Sequence, residues 1–421
     1  MGDILFLAHR MPFPPDRGDK IRAYHLLRHL ARDHRIHLVA FADDPEDLQH
    51  QDGLAAHTAT RTIVWRKAPT VWTGARALLQ RRPVSLVAFA DPAVRRAVNA
   101  LLEAQPIDTI FLFSSQMAQY LPPAPKQRVI MDFVDMDSAK FAAYAKGGRG
   151  AMAWVHKREA SLLLAHERRV AGLSDASLFV SDAEATLFRE RTNAPRVHAI
   201  ENGIDTVFYD PAGRFEPLGG EGPLLVFTGQ MDYRPNIEAI RWFAEKVFPR
   251  VRRAHPDARL AVVGRAPTPA VQALAERPGV LVTGSVPDVR DWLAAAALVV
   301  APLQLARGIQ NKVLEGMAMA RAVVASPAAA EGVDHAGTLC VAEGADAFGG
   351  AVLRLLDDPD TAAALGAAAR ARVIARYSWD ARLAPLDALL EAPAGHLHQR
   401  GGADADRLVP GRYDADHERR R

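Results

Sequence analysis

Thirteen short runs rich in Val, Ile, Leu, Phe and Ala alternate along this 421-residue chain with longer stretches whose apolar residues recur at helical spacing. Such an alternation builds strand-helix-strand units, and these can bury their strands only in parallel sheets covered by helices. In the first half the runs fall at Ile4–Ala8, Ile36–Phe41, Arg61–Trp65, Thr109–Phe113, Val129–Asp132, Ala176–Val180 and Val197–Ile200. In the second they fall at Leu224–Thr228, Arg259–Val263, Val280–Thr283, Leu298–Ala301, Ala322–Ala325 and Leu339–Val341. Between them lie helical patterns such as NIEAIRWFAEKVFPRVRRAH, where Ile237, Ile240, Phe243, Val247 and Val251 mark one face.

The chain is long enough for more than one core. The reading is an α/β protein of two doubly wound domains. Residues 1–208 form the first and 224–376 the second. The segment 209–223, YDPAGRFEPLGGEGP, reads as a linker because it holds four glycines and three prolines without apolar periodicity. Residues 377–391 continue as a closing helix that packs back towards the first domain. Residues 392–421 are charged and poor in apolar groups, and are expected to be disordered.

Lys and Arg number 52 against 49 Asp and Glu, a net charge of +3, so nothing in the balance demands a nucleic-acid partner. Cys340 stands alone, which excludes an internal disulfide framework and a cysteine metal cluster and fits a reducing cytoplasm. No run approaches the ~20 apolar residues of a membrane span, and the first strand starts without a basic-then-apolar leader. A cytoplasmic protein is expected, with peripheral attachment to an inner membrane face left open.

Ligands of open parallel sheets collect beyond the carboxyl ends of the strands, and two facing domains place a cleft there. The loops that follow strands therefore carry the candidates. Gly229 and Arg234 lie in GQMDYRPN, Arg265 in GRAPTP, and Val286 in SVPDVRDWL, where Asp288 reads as a helix cap. In LQLARGIQNKVLEG, the amides of Gly308, Ile309, Gln310 and Asn311 at a helix start, with Arg307 and Lys312 beside them, suit a diphosphate. Glu315, a turn deeper, can accept from the two adjacent hydroxyls of a ribose. The plainer alternative is a solvated Lys312–Glu315 pair worth a few tenths of a kcal/mol.

The ordered set LEGMAMARAVVAS, VHAIENGIDTVFYDP, VVG at 262–264, GSVPDVRDWL and YSW at 377–379 resembles a family-four glycosyltransferase of the GT-B architecture. More narrowly, HRMPFPPDRGDKIRAYHLLRHL, DFVDMDSAKFAAYA and GIQNKVLEGMAMARAVV are similar to sugar transferases associated with bacterial exosortase and exopolysaccharide systems. The resemblance implies a retaining transfer from a nucleotide-diphosphate sugar to a glycan or lipid-linked acceptor, with no metal and no cofactor. It places Glu315 on the ribose and Arg234 near the family's diphosphate lysine. Two positions depart from the pattern. Gln230 stands where the family has arginine, and Arg307 stands where it has the first motif glutamate. Either Arg307 joins the phosphate grip or sugar recognition passes to Gln304 or Gln310.

In the first domain, Asp135 of the Asp135-Met136-Asp137 turn lies where the family places a polar residue facing the sugar. Together with Arg307 it is the catalytic candidate, against a plain capping role and a metal-binding role for the two aspartates. Gly18, Asp19, Lys20 and Arg22 read as an acceptor or phosphate loop, the alternative being a surface helix capped by Asp19. The segment from Lys140 to Arg169 mixes Tyr144 and Trp154 with lysines and arginines. It suits either an anionic lipid surface or an ordinary long helix beside the cleft. Two other functions remain open on the residues: a sugar-nucleotide epimerase of the same fold, and a catalytically silent nucleotide-sugar binding or assembly protein.

Overall fold

The computed structural model describes residues 2–66, 71–147, 150–306 and 308–391. Arg307 and the tail from residue 392 lie outside the described residues. The chain divides into two units, one taking it up to Ile200 and again from Leu386, the other Glu201–Pro385.

In the first unit, strands β1 (Asp3–Ala8), β2 (Arg35–Ala42), β3 (Thr60–Trp65), β4 (Ile107–Phe113), β5 (Arg128–Val134), β6 (Ala176–Phe179) and β7 (Val197–Ala199) form one parallel sheet. Its order is β3-β2-β1-β4-β5-β6-β7. In the second unit, β8 (Leu224–Thr228), β9 (Arg259–Val263), β10 (Val280–Gly284), β11 (Leu298–Ala301), β12 (Ala322–Ala325) and β13 (Cys340–Val341) form another in the order β10-β9-β8-β11-β12-β13. Each expected strand is present. The central ones are almost wholly apolar because helices cover both faces; β1, β8, β11 and β12 are buried along their whole length, with only Asp3 and Thr228 polar among them. In both sheets the chain order reverses at the middle, beside β1 and β8, and such switch points open crevices at the strands' carboxyl ends.

The helices used below are α1 (Gly18–Leu30), α2 (Val71–Leu79), α3 (Asp137–Gly147), α4 (Gly150–Leu173), α5 (Asp182–Thr192), α6 (Arg234–Trp242), α7 (Asn311–Ala318), α8 (Pro359–Tyr377) and α9 (Trp379–Glu391). The amphipathic stretch after β8 is not one regular helix. Phe243–Val247 form a π turn between α6 and the helix Phe248–Ala254. Pro249 has no N–H, and its ring would meet the carbonyl of Glu245 in an α-helix, so the backbone widens there.

The division between the units differs from the sequence expectation at both ends. Residues 201–208, assigned above to the first domain, belong to the second unit. Ile204 N–H donates to Tyr377 O at 2.7 Å and bridges to Ser378, and a Cβ on Gly203 would come within 2.6 Å of the Trp379 backbone. Nor is 209–223 a free linker. Tyr209, Phe215 and Leu218 pack on the second core, Glu216 N–H donates to Asp291 at 2.9 Å, and Arg259 donates to Gly219 O at 2.5 Å. Helix α9 is shared. Its start stays with the second unit, and from Leu386 it belongs to the first, where Asp387 meets His29 at 2.6 Å and Leu389 O accepts from Arg128 at 3.2 Å.

Candidate functional site

A cavity of about 580 Å³ opens beyond the carboxyl ends of β8, β9 and β10, closed on its far side by the start of α7. Two glycines create it. Gly264, after β9, has φ +151°, and a Cβ there would fall 1.7 Å from the Gly229 carbonyl oxygen. Gly229, after β8, has φ +152°, and its missing side chain leaves the space taken by the Asn236 amide and the Lys312 ammonium. Both backbones adopt a conformation that a side chain rarely tolerates, so the sequence has little choice here.

Lys312 supplies the charge. It is 8% exposed, donates to Asn236 Oδ1, and lies 4.7 Å above the Phe227 ring. Burial lowers its amine to about 8, against the raising influence of Glu315. Asn236 is fixed in turn by donating to Gln230 O at 2.9 Å. The ammonium is thus held by a neutral amide and a ring face. A cation desolvated in that way gains from an anion entering beside it.

Glu315 sits one turn deeper and is partly buried. It accepts from Thr228 Oγ1 at 3.4 Å and from the Tyr209 hydroxyl. Burial raises its carboxyl, with Lys312 and these two donors opposing. Burial likewise raises the Tyr209 phenol. Glu315 is the only carboxylate among the described residues lining the cavity, and Arg265 joins Lys312 as the second cation. An anionic group beside the cations and a polyhydroxylated group beside the carboxylate both fit this distribution.

Of the second-domain residues singled out from sequence, Gly229, Arg265, Val286, Ile309, Gln310, Asn311, Lys312 and Glu315 line the cavity. Arg234 does not: it is exposed and pairs with Glu238 at 2.7 Å, an i,i+4 neighbour on its own helix. Gly308 is not among the lining residues either. The helix starts at Asn311, later than expected, with Gln310 O accepting from Val313 and Leu314, so the amides at its mouth are those of Asn311 and Lys312. Gly308 precedes it with φ +65°, its peptide packed so closely that a Cβ on Gly332 would lie 2.5 Å from its carbonyl. Sequence reasoning missed Tyr209, Thr228, Tyr233, Asn236, Ser285 and Val289. The Gly229 and Gly264 loops were legible as glycine turns, but only the fold delivers Asn236 and Tyr209 to Lys312 and Glu315.

The first unit corrects the loop at Gly18–Arg22. Lys20 and Arg22 point inward. Arg22 is 1% exposed and pairs with fully buried Asp132 at 2.9 Å, while Lys20 pairs with Asp47 at 2.6 Å. Neither is presented as a surface cation. Asp19 does not cap α1; it accepts from Arg10 and meets His9 at 3.3 Å. Burial works against its ionisation, but those two partners hold its carboxyl well below the usual range. Gly18 has open space where a Cβ would stand. Asp135 is exposed beyond β5, after Val134 in the left-handed region at φ +69°, an unusual conformation for a β-branched residue. Asp137 is turned towards Gln116, whose amide donates to it at 3.3 Å. The two aspartates thus differ in surroundings, and among the described residues no group of three His, Cys, Asp or Glu is arranged to hold a metal ion.

Two parallel sheets of this order, with a cavity at the switch point of the second, define the GT-B fold. Residues 222–358 match the family described as Glycosyl transferases group 1. The alpha-maltose-1-phosphate synthase of Mycolicibacterium smegmatis is 34% identical over 221 residues, covering 44% of this chain and 54% of that enzyme, so the chain spans about half the length of this relative. Among solved structures, a sucrose-phosphate synthase from Thermosynechococcus elongatus aligns with a TM-score of 0.57 at 19% identity over 93% of this chain and 98% of its own. Anabaena HepE in complex with UDP gives 0.57 at 16% identity, over 93% of this chain and 99% of HepE, and HepE with UDP-glucose gives 0.53. The resemblance read from the motifs agrees with these matches at the level of GT-B glycosyltransferases.

Proposed function

We propose that the second unit binds a nucleotide-diphosphate sugar and that the protein transfers the sugar, with retention at its anomeric carbon, to a hydroxyl of a glycan or lipid-linked acceptor in exopolysaccharide synthesis at the inner face of the membrane. The observation that carries this reading is Lys312, a desolvated ammonium with no carboxylate partner at hydrogen-bond distance among the described residues, beside the amides that open α7 and one turn from Glu315. In the proposal the diphosphate lies against Lys312 and those amides, and Glu315 accepts from both ribose hydroxyls. Arg307 joins the phosphate grip. Asp135 orients the acceptor hydroxyl or takes its proton. The charge leaving with the diphosphate is then stabilised by fixed cations and amides, which can serve without a divalent ion. The UDP and UDP-glucose bound in HepE support uridine as the first base to test.

Calorimetric titration of the full chain with UDP, GDP and ADP tests the reading. One diphosphate should bind clearly more tightly than the others. Glu315→Ala should weaken it by at least about a hundredfold, the order of two lost hydrogen bonds to a charged group at about 1.5 kcal/mol or more each, while the free protein still folds. Unchanged affinity in that variant would remove the central assignment. Product analysis separates the chemistries: a glycosylated acceptor supports transfer, an altered sugar without acceptor indicates an epimerase, and binding without turnover indicates a silent binding protein.

A further inference from the structure

Apart from the proposed nucleotide cavity, the described residues include a surface whose composition is unusual for a protein facing water. Between Trp65 and Asp91 the sequence contains no Asp or Glu, and between Asp137 and Glu159 it again contains none, while both stretches carry several Lys and Arg. Helix α2 lies in the first, and α3 with the start of α4 in the second. The fold joins them. Arg158 of α4 donates to Ala77 O at 2.9 Å and to Arg82 O at 3.2 Å, and the Glu159 carboxylate accepts from Val84 N–H at 2.8 and 3.0 Å. Glu159 is itself 3% exposed, so the acid that ends the second stretch is spent inside.

On this joined surface the apolar side chains point outward. Trp72 is 82% exposed, Leu79 87% and Trp154 59%, with Leu78, Tyr144 and Met152 also exposed. Exposed cations accompany them at Arg76, Arg81, Lys140, Lys146 and Lys157. Beside the hairpin, α3, α4 and α5 enclose a slot of about 440 Å³ with an apolar floor that includes Ala145, Ala160 and Leu164 and a rim of Lys146, Lys157 and Arg191. A protein partner would ordinarily bury an apolar centre depleted of charged residues, lysine among them. Tryptophan and leucine standing proud of a field of one sign instead match the two layers of a bilayer surface, anionic phosphate outside and acyl chain beneath.

We infer that α2 and the α3–α4 hairpin dock the first unit onto an anionic phospholipid bilayer, the tryptophans and Leu79 entering the interface and the lysines and arginines meeting headgroup phosphates. The inference stands on this surface alone and does not depend on the sugar-transfer reading. It concerns a surface layer only: among the described residues no helix is long and apolar enough to cross a membrane.

Co-sedimentation of the full chain with lipid vesicles decides it. The protein should bind vesicles containing phosphatidylglycerol at least about tenfold more tightly than pure phosphatidylcholine vesicles, and added salt should weaken the binding because headgroup attraction is screened. The variants Trp72→Ser/Leu79→Ser/Trp154→Ser and Lys146→Glu/Lys157→Glu should each lose at least about tenfold. These side chains are exposed, so unfolding temperature and UDP titration should match the wild type in both variants, which keeps a failure here distinct from a failure of the nucleotide site. No binding to phosphatidylglycerol vesicles, equal binding to both lipids, or wild-type binding by both variants would overturn the inference.

Discussion

Lys312 makes the proposed nucleotide site testable by pH. Burial lowers its folded-state pKa to about 8 from an ordinary value of 10.5. Between those values the unfolded chain holds the proton and the folded chain does not, so this residue adds stability to the free protein as pH rises across that window. Ligand affinity runs the other way. A diphosphate favours the ammonium, so binding takes up a proton once the free amine has begun to titrate. The affinity for UDP should therefore weaken above about pH 8, approaching tenfold per pH unit. Lys312→Met should bind weakly and lose that dependence. Calorimetry in buffers of different ionisation enthalpy measures both affinity and proton uptake; a wild-type affinity that stays level to about pH 9.5 would overturn the pH dependence, and wild-type affinity in Lys312→Met would show that Lys312 does not hold the anion.

Among the elements, the strand-ending turns carry the strongest backbone requirement. Gly264→Ala would place a methyl group 1.7 Å from the Gly229 carbonyl at a φ of +151°, so the two loops must part. That should cost about 2 kcal/mol or more in urea unfolding and reduce UDP affinity together with it. Gly18→Ala meets open space at an ordinary helix start and should stay within about 0.5 kcal/mol. The same contrast explains what sequence reasoning could reach. The central strands were legible because a strand buried on both faces is largely apolar, and the half-exposed β3, TRTIVW, because β-branched and aromatic residues cluster in it. Asp288 was legible as a cap, and its side chain accepts from Arg290 N–H at 2.8 Å. Lys20 and Arg22 were misread as surface charges because Asp47 and Asp132, which neutralise them, lie on other elements and leave no mark on the local pattern. The π turn was hidden for a related reason. Apolar period continues smoothly through Phe243–Val247, and only Pro249 signals that the hydrogen-bond ladder must change.

In the whole molecule the two roles assigned by the proposal lie in different units. Every described residue lining the proposed nucleotide cavity falls within Glu201–Pro385, whereas Asp135 belongs to the first unit. Binding and transfer should therefore separate under mutation. Asp135→Asn keeps the size of an exposed side chain, and Asp135 is not among the residues lining the cavity, so UDP affinity should equal that of the wild type. If Asp135 orients the acceptor hydroxyl or takes its proton, turnover in that variant should fall by roughly 100-fold, the lower end of what such a group contributes. KM for the acceptor distinguishes the two duties: a raised KM with modest loss of kcat marks orientation, and a fall in kcat alone marks proton transfer. Wild-type turnover by Asp135→Asn would leave the departing diphosphate itself as the group that receives the proton, and Asp135 as an ordinary residue of the turn before α3.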